Sequence, residues 1–187
     1  MAIDVAAFMN LLNAKYDKTG GDVGPMTING DLRVNGSVVP SGGRAYGVAF
    51  TDYAEYFERG EHTEAGDIIM LNIYSDKEEY VRAKRNVGPI VGVHNDDFAM
   101  IVGSKAEYAD YENRAELNLI DLIPVALKGR VKVKVKGKVE IGDVIVASDE
   151  YGIGVVDNSV VDRFSMVGKA IERSDDEGIK KVKILIR

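Results

Sequence analysis

The sequence contains no cysteine and only two histidines, His62 and His94. Disulfides and thiolate chemistry are excluded, and a structural zinc site, which draws on Cys and His, is not expected. No apolar run reaches the ~18–20 residues that a membrane span needs. The opening MAIDVAAFMNLL lacks the basic n-region that heads a signal peptide. Positive charge is also in deficit: 24 Lys and Arg stand against 30 Asp and Glu, a net charge of −6. That balance disfavours nucleic acid or an anionic membrane as a partner. There is no glycine-rich phosphate loop, nucleophile elbow or nucleotide fingerprint, so no cofactor is implied. What remains is an ordinary globular balance over 187 residues, 45% apolar and 29% charged. One or two domains with a real core fit that length.

Residues 3–16 read as a short helix. Asp4 is placed to cap it, Val5, Phe8 and Leu12 follow the 3-then-4 spacing of a seam, and Leu11 widens the stripe. A helix this short is marginal alone, so it must dock. A bundle with other copies and packing on its own domain both satisfy that need. After the linker DKTGGDVGPM comes TINGDLRVNGSVVP, in which Ile28-Asn29-Gly30-Asp31-Leu32 recurs six residues later as Val34-Asn35-Gly36-Ser37-Val38. Two Asn-Gly hairpins so close would leave strands well under the usual ~5–6 residues. Extended chain that turns every six residues fits better, with Ile28, Leu32, Val34 and Val38 as one inward stripe. Three chains wound together can bury such a stripe and one cannot, so a homotrimer is expected. A single hairpin plus a loop is the plainer alternative. The chain thus divides into an oligomerisation helix (1–19), a β stalk with linkers (20–46) and a compact domain (47–187).

The fold class expected is mainly β: a short N-terminal helix, a six-residue-repeat stalk and a C-terminal barrel or sandwich. Strand patterns fall at 67–73, 79–83, 89–94, 99–102, 122–127, 130–135, 143–147, 152–156, 165–172 and 181–186. Residues 105–116 fit helix or loop. Two segments echo each other. Glu64-x-Gly66-Asp67-Ile68-Ile69 resembles Glu140-x-Gly142-Asp143-Val144-Ile145, and Val91-Gly92 resembles Val167-Gly168, both at an offset of 76. A constant offset predicts two similar β halves, with each Val-Gly marking a bulge or a close backbone approach. The run Arg130-Val-Lys-Val-Lys-Val-Lys-Gly-Lys138 alternates strictly. It reads as a half-buried strand whose lysine row guards a sheet edge, with acidic neighbours facing it in a trimer. An anion site is the alternative, and no aromatic residues interleave for base stacking.

The densest cluster of reactive groups is Thr51-Asp52-Tyr53-Ala54-Glu55-Tyr56-Phe57-Glu58. AFTDYAEYFERGEHTEAGDIIML, followed by a strand, a gap and GPIVGVHNDD, resembles the intramolecular-chaperone autoprocessing domain of phage neck-appendage and tail proteins, classed with glutamic peptidases. KTGGDVGPMTINGDLRVNG separately resembles the stalk of phage tail fibres. The resemblance implies a domain that brings three chains into register and, in some members, cuts itself free just before the acidic motif. Asp52 and Glu55 match the family's acidic pair, and Thr51 stands where a hydroxyl nucleophile would act. Loss of everything after residue ~50 would leave a very small stalk, below what usually folds alone. The domain is therefore expected to stay uncut, with Asp52, Glu55 and Glu58 capping turns or pairing with Arg44 or Arg59. No metal is expected; Glu64 and Asp67 lack EF-hand spacing. His62 is expected in solvent and His94 in a turn. The resemblance further implies a virion location, other virion proteins as partners and host attachment. Tyr108 and Tyr111 would offer stacking faces to a host surface polysaccharide.

Overall fold

A computed structural model of the chain describes residues 52–98, 100–103, 105, 107, 114–160 and 165–186. The expected helix and stalk, with Val5, Phe8, Leu12, Ile28, Leu32, Val34 and Val38, lie outside the described residues, as do Thr51, Tyr108 and Tyr111. The described part is mainly β. Its strands are β1 (Asp52–Glu58), β2 (Ile68–Leu71), β3 (Tyr80–Arg82), β4 (Ile90–His94), β5 (Met100–Val102), β6 (Leu122–Lys136), β7 (Val144–Ala147), β8 (Gly154–Val156), β9 (Met166–Ala170) and β10 (Ile179–Ile186). One helix, α1 (Arg114–Asp121), leads into β6.

The 15-residue β6 organises everything else. Its first half pairs antiparallel with β1 and β4. Its second half pairs antiparallel with β10 and parallel with β8. Gly129, at φ 112°, sits between the halves; only glycine enters that region without strain. Because β10 also pairs β9, β9 pairs β7 and β7 pairs β8, the strands β6–β10–β9–β7–β8 close into a five-stranded barrel. The strands β1–β6–β4–β2–β3 make a second ring, completed by a bridge from Arg59, just past β1, to Tyr80. β5 adds to it from outside, parallel to β1.

The two rings repeat the same design at the offset of 76. Ile68, Ile69 and Met70 pair with Val93, Gly92 and Ile90; Val144, Ile145 and Val146 pair with Lys169, Gly168 and Met166. Both ladders carry their irregularity at the same step, after Ile69 and after Ile145. The turns match too. The Asp67 carboxylate accepts from Glu64 N at 2.8 Å, and the Asp143 carboxylate accepts from Glu140 N at 2.7 Å. Gly66 and Gly142 take φ of 97° and 98°. A Cβ on Gly92 would stand 2.2 Å from the Ala126 carbonyl oxygen, and one on Gly168 would stand 2.6 Å from that of Leu185. The Val-Gly pairs thus mark close backbone approaches.

Alternation sorts the core. Val131, Val133 and Val135 on β6 and Val182, Ile184 and Ile186 on β10 point into the barrel. On β2, Ile69 and Leu71 fill the other ring with Tyr80, Ile123, Val125 and Phe57. The opposite β2 face, Ile68 and Met70, joins the barrel's cluster. Each fully buried Val or Ile contributes about 1.5–3 kcal/mol.

Three local expectations are corrected. Asp52–Glu58 is a strand, which its acidic, aromatic composition concealed. The two strands expected at 122–127 and 130–135 are one, carried through Lys128-Gly129. The lysine-bearing half of β6 has neighbours on both sides, so its lysines guard no sheet edge.

Candidate functional site

β1 carries the acidic motif, and alternation divides it between two faces. Glu55 lies opposite Val125, whose side chain is in the ring's core, so Glu55 shares the inward face with Phe57. The Tyr53 hydroxyl donates to Glu55 Oε1 at 2.6 Å. That bond, with lesser help from burial and charge, raises the Tyr53 pKa. Deeper in, burial together with a hydrogen bond to Glu78 pushes the Tyr80 hydroxyl up to about 12. Asp52 belongs to the other face with Ala54 and is buried. Its Oδ2 accepts from Asn95 Nδ2 at 2.7 Å. Glu58 Oε2 is 3.9 Å from Lys105 Nζ. The structure therefore places Asp52 and Glu55 on one strand but on opposite faces.

Arg59 is not the partner expected for these carboxylates. Its guanidinium donates to Thr63 Oγ1 at 3.2 Å and to the carbonyls of Leu119 and Leu122 at 3.2 and 2.6 Å. It ties the end of β1 to the α1–β6 junction. Burial lowers its pKa, opposed by the charges of Asp96 and Asp121.

A second polar cluster lies at the start of β2. Lys134 Nζ donates to Asp67 Oδ1 at 2.8 Å and to Glu64 Oε2 at 2.9 Å. Burial draws the Lys134 pKa down, but the two carboxylates outweigh it and the net shift is upward. The same bond lowers the pKa of Glu64. These two acids hold an ammonium group, which accounts for their spacing. Nearby, His94 is the last residue of β4 and is 4% exposed, not a turn residue. Its Nε2 lies 2.9 Å from Asp96 Oδ1, while its buried Nδ1 has no hydrogen-bond partner. Burial lowers the His94 pKa, against the raising effect of Asp96. His62 lies in solvent. From the sequence, Asn95 goes unmarked, Lys134 figures only within the lysine row and its alternative anion site, and His94 reads as a turn residue. The one available signal was the packing of four polar residues, His94-Asn95-Asp96-Asp97, directly behind an apolar strand.

No family model matches this sequence, and no curated protein matches it. Two solved structures resemble the chain. One is the C-terminal fragment of bacteriophage phi29 gene product 12, at 16% identity and TM-score 0.50, over 73% of this chain and 100% of that one. The chain shares the fold of that fragment. The other is the pre-mature form of the same gene product, at 16% identity and TM-score 0.52, over 86% of this chain and 24% of that one. The chain thus spans about a quarter of the longer phage protein.

Proposed function

We propose that this chain is a structural fibre or appendage subunit of a tailed-phage particle, trimeric, with residues 47–187 retained as an uncut knob that serves host attachment. The observation that carries the reading is the likeness of fold across the whole of the phi29 fragment. The DYAEYFE string points the same way from sequence. The trimer rests on the seam at Val5, Phe8 and Leu12 and on the six-residue stripe. Retention rests on β1. A carboxylate pair that shares acid and base roles must reach one bond together. Asp52 and Glu55 face apart, and each already accepts a hydrogen bond. Other virion proteins bind the N-terminal part, and a surface polysaccharide is the ligand class of the knob.

One observation favours self-cleavage near Thr51 as a second reading. Glu55 occupies the inward position that Val131 fills in the barrel, by the offset of 76 and by matched pairing with Val125 and Ile184. A strand with a purely structural task has no need of a half-buried carboxylate there. The test is prolonged incubation of the purified full chain followed by denatured mass measurement. The uncut reading expects the intact chain only. A fragment beginning near Thr51, abolished by Glu55→Ala, would establish the second.

A further inference from the structure

The β2–β3 turn projects an aromatic and acidic knob. Tyr74 is 80% exposed and Ile73 50%, and Asp76, Glu78 and Glu79 follow. The turn is ordered by its own hydrogen bonds. Tyr74 N donates to Asn72 Oδ1, Ser75 N to Asn72 O, Lys77 N to Ser75 Oγ and Asn72 N to Glu79 O. Glu78 accepts from the Tyr80 hydroxyl and Glu79 from Ser75 Oγ. Among the described residues no cation pairs with Asp76, Glu78 or Glu79. The barrel's equivalent turn behaves differently. There Glu150 pairs with Lys136, and Lys84 Nζ stands 5.2 Å from the centre of the Tyr151 ring. A turn that carries acids and an exposed tyrosine is met by lysines in one ring, and its acids have no ion pair among the described residues in the other.

Unmet cations stand elsewhere on the same domain. On the outer face of the β6–β10 ladder Lys132 lies opposite Lys183, and Lys134 opposite Lys181. Arg130, Lys132, Lys181 and Lys183 line an open trough of about 370 Å³, with Asp96 and Asp97 beside them. None of the four cations has an ion pair among the described residues. Like charges directly opposite on a ladder are destabilising, and an acidic partner removes that cost. The trough also includes Gly66, just before β2, whereas the knob follows the far end of β2. The four strand residues between them span ~13 Å, and among the described residues no acid of the knob pairs with a trough cation of its own chain.

We propose that the two surfaces meet between copies. Tyr74 and the acidic turn Asp76–Glu79 of one chain seat in the Arg130, Lys132, Lys181 and Lys183 trough of the next. Tyr74 is the aromatic anchor, able to stack on guanidinium or ammonium groups. Asp76 and Glu78 neutralise the lysines, and Lys77 meets Asp96 and Asp97. Those two aspartates make the trough a poorer host for an all-anionic polymer than for this mixed-charge turn. Two different patches in contact form a head-to-tail interface, which gives a ring where the rotation between copies closes, as a trimer requires. The inference rests on the trimeric reading and adds the surfaces that form the ring.

The absence of cysteine makes the test clean. Glu78→Cys and Lys183→Cys are introduced together in the full chain, and the native mass is recorded before treatment with a short bismaleimide. The expected result is a native trimer and a covalent ladder up to the trimer. Its formation should be several-fold slower near 1 M salt, where screening shortens to ~3 Å. A native trimer without this crosslink overturns the inference and leaves the trimer standing. Saturable binding of polyphosphate with no crosslink also overturns it and assigns the trough to an anionic ligand. A native monomer overturns both readings.

Discussion

Gly92 has no room for a side chain: its missing Cβ would lie 2.2 Å from a backbone carbonyl oxygen of β6. Backbone cannot retreat as a flexible side chain can. Gly92→Ala is expected to cost about 3 kcal/mol or more, in the overpacking range. Gly142→Ala meets open space at φ 98° and should cost about 1 kcal/mol. Urea titration of both variants checks the contrast, and equal costs would contradict the close-approach account. His94 gives a pH prediction. Its folded pKa lies below the ordinary value of ~6.5 because it is buried. As pH falls through ~6.5, the unfolded chain takes up a proton that the folded chain refuses, so stability drops. The loss ends once pH passes below the folded pKa. His94→Gln should flatten the stability profile between about pH 7 and that point, with exposed His62→Gln as control. An unchanged slope would show that His94 does not set it. Gly92 was legible in sequence through its echo at Gly168. The burial of His94 was not, because what covers it comes from distant segments.

Among elements, β6 shows best what a sequence pattern can and cannot carry. Its Val/Lys alternation announced the inward and outward faces correctly. Which lysine is held by acids was invisible, since Glu64 and Asp67 lie 70 and 67 residues from Lys134. Lys134→Met strips a buried aspartate of its counter-charge and is expected to cost about 3 kcal/mol. Lys169→Met, at an exposed position of β9 outside that cluster, should stay within about 0.5 kcal/mol. A double-mutant cycle of Lys134 with Asp67 would separate this pair from loss of packing. β1 escaped notice for a different reason. DYAEYFE holds no β-branched residue and three acids, and only pairing with β6 and β5 makes it a strand. Gly129 misled in the opposite direction, because glycine after lysine reads as a turn although one strand runs through it.

For the molecule as a whole, the offset of 76 was the most informative feature of the sequence. It foretold two matched β halves, and the ladders reproduce it residue for residue. It could not show that the halves share one long strand. The proposed trimer also draws on a different part of the chain, the seam expected at Val5, Phe8 and Leu12. Phe8→Asp or Leu12→Asp should shift the protein from trimer to smaller species, because a charge in a three-chain seam has no partner. The most direct test of the account is the native and denatured mass of freshly purified full chain, measured together. The account predicts a native mass of three chains and a single denatured species of 187 residues. A native monomer would contradict the fibre, and a denatured fragment beginning near Thr51 would contradict the uncut knob.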